Sequence, residues 1–208
     1  MQVPFGEWLP DQPEHGKQGA NVATNVYHAA NTYKRFPSLV EYTTNNIGKN
    51  AKGAGSFRDN SNNIYNFVAT KTDIYQLASG VFTSRKSSLT GGEADFFTFT
   101  QFGNYVIASN GVDQPQYYLM GTSTNFANLN AIQTAGTTPL FRVSGVVRDF
   151  LVVGNITNAT NRIQWSGIND ITVWTGKQAD YQDLPGSGGK IVHVTSGEIG
   201  YVFRQNQI

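Results

Sequence analysis

Short apolar runs, each bounded by Gly, Asn, Asp or Pro, dominate the chain from Ser56 onward. The runs are NIYNFVAT, DIYQLA, DFFTFTQF, NYVIASN, QYYLM, FRVSGVV, DFLVVGN, RIQWSG, KIVHVTS and GYVFRQN. Runs of this length, rich in aromatic and β-branched residues and separated by turn residues, are typical of antiparallel strands. The pattern therefore predicts an all-β chain.

This strand pattern repeats along the chain. FGNYVIASN and VRDFLVVGN align with Tyr105 opposite Phe150, an offset of 45 residues. An earlier copy, NIYNFVATKTDIYQLA, places Ala69 39 residues before Ala108, and a later copy, GEIGYVFRQNQI, places Tyr201 51 residues after Phe150. A β-propeller blade has four antiparallel strands in about 40 to 50 residues, and its inner strands are apolar because neighbouring blades cover both faces.

The repeats predict propeller-like blades over residues 51–208. A sandwich or a jelly roll is the alternative, because any all-β chain with regular turns gives weak self-similarity. The segment holds between three and four blades, whereas a closed propeller has at least about four. We therefore expect the blades to continue in a longer polypeptide.

Residues 1–50 differ from the rest, since polar residues and four prolines interrupt every periodic segment. This composition predicts an extended N-terminal arm before the blades. The spacing of Val22, Val26 and Ala29 also predicts a short helix from Ala20 to Ala30, because these residues would lie on one face.

Composition and charge limit the classes of function that this chain can have. The 208 residues are 39% hydrophobic and 12% aromatic, enough for a buried core. The 15 basic and 14 acidic residues give a formal charge of +1, so no overall field attracts a polyanion or a membrane surface. No apolar run approaches the roughly 18 residues that cross a bilayer, and we expect no membrane segment.

The sequence shows few residues in patterns that are typical of a catalytic or metal site. The three histidines lack paired spacing, and the absence of cysteine excludes thiolate chemistry. Residues 59–63 (DNSNN) resemble the start of a calcium loop but lack its glycine and are interpreted as a hairpin tip. Asp180, Asp183 and Glu198 are interpreted as solvated acids. We expect no catalytic residue, no metal and no cofactor.

Two adjacent basic pairs, Lys34–Arg35 and Arg85–Lys86, are too sparse for a nucleic-acid-binding stripe. Each pair is interpreted as part of a solvated face.

Several strings resemble a known family of virion proteins. FGEWLPDQPEHGKQGANVATNVYHAANTYKRFPSLVEYT is similar to the N-terminal signature of the tail nozzle, or packaged-DNA stabilisation, proteins of short-tailed phages. QFGNYVIASNGVDQPQYYLM, VVRDFLVVGN, NRIQWSGINDITVWT, ADYQDLPGSGG and GEIGYVFRQNQI resemble later parts of the same family. Family members are considerably longer than this chain.

The resemblance implies a non-enzymatic virion structural protein in a ring of its own copies, a hexamer in the family. It would lie below the portal and adaptor, assemble in the host cytoplasm, and form a DNA exit channel without sequence specificity. A near-neutral wall suits that role, because a strongly basic wall would hold the genome by salt-dependent ion pairs. The predicted assembly residues in the arm are Phe5, Trp8, Asp11, Tyr27, Tyr33, Arg35 and Phe36.

An alternative function is a glycan- or receptor-binding propeller, in which Trp165, Trp174 and Tyr181 would stack on sugar rings. A hydrolase on a propeller scaffold is a weaker alternative, because convergent carboxylates are lacking. Trp165 and Trp174 flank the turn residues of GIND and are predicted to be structural corner residues. We expect at least one of these indoles to be buried with its N–H bonded to the backbone.

Overall fold

The computed structural model describes residues 22, 24–29, 32–38 and 40–206. The chain divides into two compact units, Met1–Tyr42 and Thr43–Ile208. We refer to them as the N-terminal unit and the sheet unit.

The N-terminal unit contains a small antiparallel hairpin, β1 (Val26–Ala29) and β2 (Thr32–Arg35). The expected helix from Ala20 to Ala30 is wrong over these residues, and the expected arm is not extended throughout. Valine, tyrosine and threonine favour strands over helices, and the second strand supplies the ladder partners that a helix would not need.

The sheet unit contains three four-stranded antiparallel sheets and one two-stranded sheet, here called sheets I to IV. Sheet I is β3 (Gly53–Arg58), β4 (Ile64–Ala69), β5 (Ile74–Ala78) and β6 (Val81–Lys86). Sheet II is β7 (Thr98–Phe102), β8 (Tyr105–Ser109), β9 (Gln116–Leu119) and β10 (Ala127–Asn128), followed by a 3₁₀ turn at Leu129–Ile132. Sheet III is β11 (Phe141–Val147), β12 (Phe150–Ile156), β13 (Ala159–Trp165) and β14 (Asp180–Asp183), and sheet IV is β15 (Ile191–Val194) and β16 (Val202–Arg204).

Each strand in these sheets pairs with the next strand along the chain, so every sheet is a meander of sequential hairpins. The described residues contain no α-helix. The prediction of an all-β chain is confirmed, in the form of several small antiparallel sheets.

The sequence repeats fall on the same element of each sheet. Tyr105 begins β8 and Phe150 begins β12, which are the second strands of sheets II and III. Ala69 ends β4, the second strand of sheet I, and Tyr201 immediately precedes β16, the second strand of sheet IV. The repeat therefore marks the second strand of every sheet.

Strand β8 is buried on both faces. Val106 and Ala108 contribute to a core shared with sheet I, whereas Ile107, between them, contributes to a core shared with sheet III. All three residues are fully buried. Successive side chains of a strand point to opposite faces, so an uninterrupted apolar run requires a neighbouring sheet on each side.

Strand β12 is covered in the same way. Leu151 and Val153 are buried in the core shared with sheet II. At Gly154, a Cβ atom would lie 3.0 Å from Ile191 Cγ2 of sheet IV. The glycine therefore lets the backbone of sheet III come close to a buried side chain of sheet IV.

Polar side chains join the first strands of adjacent sheets. Thr98 Oγ1 donates to the backbone carbonyl of Arg142 at 2.8 Å, and the Thr100 and Ser144 hydroxyl oxygens are 2.7 Å apart. Ser109 of β8 also donates to the carbonyl of Phe141. These bonds satisfy buried polar groups at the boundary between sheets II and III.

Residues 43–52 are bonded to sheet I, although we expected residues 1–50 to form the arm. Thr43 Oγ1 donates to the Gly80 carbonyl at 2.5 Å, and Asn45 Oδ1 accepts from the Phe82 N–H at 2.7 Å. Lys52 N–H donates to the Ala69 carbonyl at 2.7 Å. The arm assignment is therefore wrong for residues 43–50, because asparagine and threonine side chains here bond to strand ends of their own sheet.

Replacing Leu151 with alanine is expected to lower the free energy of unfolding by about 2–5 kcal/mol, because it leaves a cavity between sheets II and III. Val81→Ala, at a half-exposed position of β6, is the matched control and is expected to change stability much less. Urea unfolding measures both variants. Equal losses for Leu151→Ala and Val81→Ala would contradict the shared core.

Asp95 links the loop before sheet II to sheet III. Its carboxylate accepts the Gly92 N–H and the Arg142 Nη1–H, each at 2.7 Å. These hydrogen bonds, first that of Gly92 and then that of Arg142, hold the pKa of Asp95 below its ordinary value despite its partial burial. Their stabilising contribution is present above the unfolded pKa of about 3.9 and is lost as pH falls through the lower folded pKa.

Asp95→Asn is therefore expected to lower the melting temperature at pH 7, and its difference from wild type is expected to shrink below about pH 4. Thermal melts across this range measure the difference. Glu198→Gln is the control, since its pair with Arg148 is largely exposed and contributes little. A difference for Asp95→Asn that stays constant with pH would count against the ionic role of Asp95.

Candidate assembly surface

The hairpin of the N-terminal unit exposes a pair of aromatic rings. Tyr27 is 42% exposed and Phe36 is 60% exposed. Their ring centroids are 5.5 Å apart, and the Phe36 N–H donates to the Asn25 carbonyl at 3.0 Å, which extends the ladder by one residue. The two rings therefore form one exposed apolar patch, here called the Tyr27–Phe36 patch.

One basic side chain, that of Lys34, lies on the same face of the hairpin as this patch, and Arg35 lies on the opposite face. Lys34 pairs with Tyr27 in the hairpin register, and Arg35 pairs with Val26. Lys34 and Arg35 are exposed, whereas Tyr33 is half-buried. A two-stranded hairpin alone is marginally stable in water, so an exposed aromatic and basic surface on such an element is suited to ordering against a partner.

The predicted arm residues fall into two groups. Tyr27, Tyr33, Arg35 and Phe36 lie on or beside the hairpin, which brings them into one element. Phe5, Trp8 and Asp11 lie outside the described residues. Sequence reasoning missed Val40 and Tyr42, which are 86% and 78% exposed, although an apolar residue in a polar Pro-containing segment is the signal that could have found them.

The two corner tryptophans of sheet III differ in burial. Trp174 is 2% exposed, and its Nε1–H donates to the Ile171 carbonyl at 3.0 Å. Trp165 is half-buried, and its Nε1–H donates to the Gln178 carbonyl at 2.8 Å. We expected at least one of these two indoles to be buried with its N–H bonded to the backbone, and Trp174 has both features. The chain reverses between them at residues 167–170, where Asp170 N–H donates to the Gly167 carbonyl at 3.1 Å.

The burial of Trp174 removes this ring from the candidate glycan-binding surface, because a buried ring cannot stack on a sugar. Tyr181 remains 51% exposed. The Arg162 guanidinium lies 4.0 Å from the Tyr181 ring centroid and donates to both carboxylate oxygens of Asp183, at 2.7 and 2.9 Å. This hydrogen bonding raises the pKa of Arg162 and lowers the pKa of Asp183, so both groups stay charged.

The acids that sequence analysis singled out have separate partners. Asp183 pairs with Arg162, Glu198 pairs with Arg148 at 3.5 Å, and Asp180 Oδ1 accepts the Tyr181 N–H at 2.8 Å. Within the described residues, no group of three or more His, Cys, Asp or Glu side chains could hold a metal ion. The structure therefore places these carboxylates in turns and strand pairs.

Asp59 caps the turn between β3 and β4. Its Oδ1 accepts the N–H groups of Ser61 and Asn63 at 2.8 and 2.9 Å, and its Oδ2 accepts from Asn63 Nδ2 at 2.9 Å. The side-chain hydrogen bond from Asn63 is the main cause of the lowered pKa of Asp59. The hairpin-tip interpretation of residues 59–63 is confirmed, since the carboxylate is used by the turn itself.

In the part of the chain that the structure describes, no helix has the length and apolar character needed to cross a bilayer.

No protein-family model matches the chain, and no curated protein matches it. Among solved structures, the crystal structure of the computationally designed Ika4 protein is similar, with a TM-score of 0.50 and 12% sequence identity. The similarity covers 82% of this chain and 95% of the Ika4 chain. At that identity the likeness concerns the fold alone.

Replacing Trp174 with alanine is expected to lower the free energy of unfolding by about 3–5 kcal/mol, because the buried indole fills the corner of sheet III. Trp174→Phe is expected to cost about 1–3 kcal/mol, since the Ile171 carbonyl loses its donor. Tyr181→Ala is the control at an exposed ring and is expected to change stability little. Urea unfolding that ranks Tyr181→Ala equal to Trp174→Ala would contradict the corner role.

Proposed function

We propose that this chain is a non-enzymatic structural protein of a short-tailed phage virion and forms part of the tail nozzle. It lies below the portal and adaptor, retains packaged DNA and provides the exit channel. The sequence resemblance suggests the family, and the Tyr27–Phe36 patch is the structural observation that supports an assembly role. An exposed apolar patch with Lys34 on the same face is suited to a protein partner.

In this proposal, sheets I to IV are blades of a β-propeller. Three features support the interpretation: the sheets are sequential antiparallel meanders, the repeat marks their second strands, and their first strands are neighbours. Contacts join β3 to β7, β7 to β11, and β11 to β15. A succession of first strands side by side is the arrangement found around a propeller axis.

Copies of the chain form a ring in the proposed assembly, and the family resemblance suggests six. The sheet unit supplies the wall, and the N-terminal unit docks onto a neighbouring copy or onto the adaptor. The formal charge of +1 suits a conduit, because DNA is then not held by many ion pairs. No sequence-specific DNA contact is part of the proposal.

A second candidate is a glycan- or receptor-binding propeller of the virion. Tyr181 is the observation that favours it, because an exposed ring beside Arg162 and Asp183 combines a stacking face with charged hydrogen-bonding groups. Glycan-array binding that is lost in Tyr181→Ala would support this candidate. An array with no binding by the wild-type protein would dismiss it.

The location of the chain in the virion tests the nozzle proposal. Electron microscopy of the virion that carries this chain is expected to place its density on the tail axis, below the portal. Density at any other position would overturn the proposal.

The double variant Tyr27→Ser, Phe36→Ser is expected to reduce the occupancy of this chain in assembled tails about tenfold, because it removes both rings of the docking patch. The melting temperature of the sheet unit is expected to stay unchanged. Tyr201→Ser, at a ring that is 56% exposed in the sheet unit, is the matched control. Quantitative gel analysis of purified tails measures occupancy, and normal occupancy of the double variant would reject the docking role of the patch.

A further inference from the structure

A cleft in the sheet unit lies between the end of β6 in sheet I and the segment before β10 in sheet II. Its volume is about 360 Å³, and it is lined by Ser84, Arg85, Lys86, Ser87, Asn125 and Phe126. The first four residues belong to the end of β6 and the turn after it, and the other two precede β10. The Phe126 N–H donates to the Arg85 carbonyl at 2.8 Å, so a backbone hydrogen bond joins the two walls.

Arg85 is half-buried in this cleft and is held by one neighbour. Its Nε–H donates at 2.9 Å to Oε1 of Gln76, a residue of β5 that is 9% exposed. The four N–H groups on its two terminal nitrogens have no hydrogen-bond partner among the described residues. A buried amide therefore fixes the guanidinium while most of its donors remain available.

Lys86 is the second cation of the cleft. It is half-buried, and its Nζ donates to Asn128 Oδ1 over a long 3.4 Å. Neither Lys86 nor Arg85 takes part in any of the salt bridges of the described residues. The lining contains no acidic residue, so two partly desolvated positive charges face a cleft without a protein counter-charge.

A larger cleft on the same unit provides the contrast. It has a volume of about 540 Å³ and contains Lys49, Lys52 and Lys71. Each of these lysines already has an acidic partner: Lys49 pairs with Asp73 at 2.5 Å, and Lys52 and Lys71 pair with Glu93 at 3.0 and 3.5 Å. Those lysines therefore have acidic partners within the protein, whereas Arg85 and Lys86 have only neutral hydrogen-bond acceptors.

The donors of the smaller cleft define the ligand. Arg85 presents a fork that matches two oxygens of an oxyanion, and Lys86 adds a point charge. The Ser87 hydroxyl and the Asn125 amide add neutral hydrogen-bonding groups on both walls, whereas the Ser84 hydroxyl donates to the Lys86 carbonyl at 3.4 Å. A phosphate group has several acceptor oxygens in a tetrahedral arrangement and can use donors from more than one side.

We propose that the cleft between the end of β6 and the segment before β10 binds a phosphate group, with Arg85 and Lys86 as its principal ligands. Free inorganic phosphate and a phosphodiester of nucleic acid share this chemistry. The site does not depend on the Tyr27–Phe36 patch, because it lies entirely within the sheet unit and uses no residue of the N-terminal unit.

Isothermal titration calorimetry of the full chain with inorganic phosphate tests the site, with ionic strength held constant by chloride. Saturable binding is expected for the wild type, and Arg85→Gln is expected to weaken it about tenfold or more, because a charge-assisted hydrogen-bond donor is lost. Arg58→Gln is the matched control, since Arg58 is an exposed arginine of β3 outside the cleft. It is expected to bind as the wild type does.

The proposal is overturned if neither inorganic phosphate nor an oligonucleotide without terminal phosphates shows saturable binding, or if Arg85→Gln binds these ligands as the wild type does. Thermal melts verify that each variant is folded. Lys86→Gln decides the matter if Arg85→Gln does not fold, because Lys86 lacks the hydrogen bond to buried Gln76. Undiminished phosphate binding by Lys86→Gln would then overturn the proposal.

A short oligonucleotide without terminal phosphates distinguishes the two sources of the ligand. Such a strand carries only phosphodiesters, so binding that Arg85→Gln weakens would assign the site to a nucleic-acid backbone. Binding of inorganic phosphate alone would assign it to a small anion. Both results support the phosphate site, whereas oligonucleotide binding that Arg85→Gln leaves unchanged, together with absent phosphate binding, rejects it.

Discussion

The burial of β8 on both faces is the constraint on which the arrangement of the sheets depends. Its three central residues alternate between two cores, so removing either neighbouring sheet would expose a fully buried apolar side chain. Apolar area removed from water is the main favourable contribution to folding, at roughly 25 cal/mol per Å². Sheets I, II and III therefore stabilise one another as a row.

Close packing between adjacent sheets also requires that polar groups at their boundaries be satisfied. The hydroxyls of Thr98, Thr100 and Ser109 bond to atoms of β11, and the Asp95 carboxylate bonds to Arg142 at the edge of the same boundary. An unpaired buried polar group would cost about 1–3 kcal/mol. Small hydroxyl residues on strands thus let the sheets approach while keeping the buried backbone carbonyls paired.

The surfaces that carry the two proposals belong to different units of the chain. The N-terminal unit presents exposed rings on a hairpin of only two short strands, which suits docking. The sheet unit holds Arg85 and Lys86 where two sheets meet, so their positions depend on packing between β6 and the segment before β10. Docking through the Tyr27–Phe36 patch and anion binding are therefore assigned to different units and can be altered separately.

The sequence by itself determined ten of the strands and which strand of each of sheets I to IV is the repeated one, but its apolar runs do not cover β3, β6 or β14. These features depend on local patterns, namely apolar runs, turn residues and spacing. The burial and the partners of individual side chains could not be predicted from these local patterns. Trp165 and Trp174 flank the same turn, yet only Trp174 packs in the core, and Arg85 and Lys86 gained significance only because no acid lies beside them.

The tertiary structure also decided the conformation of residues 26–29 and the limit of the arm. The spacing of Val26 and Ala29 favours a helix, but pairing with residues 32–35 makes this segment a strand. Residues 43–50 look like the polar segment before them, but hydrogen bonds to Gly80 and Phe82 join them to sheet I. Both features depend on hydrogen-bond partners outside the segment itself. The periodicity of a single segment does not show which partners it will meet in the folded chain.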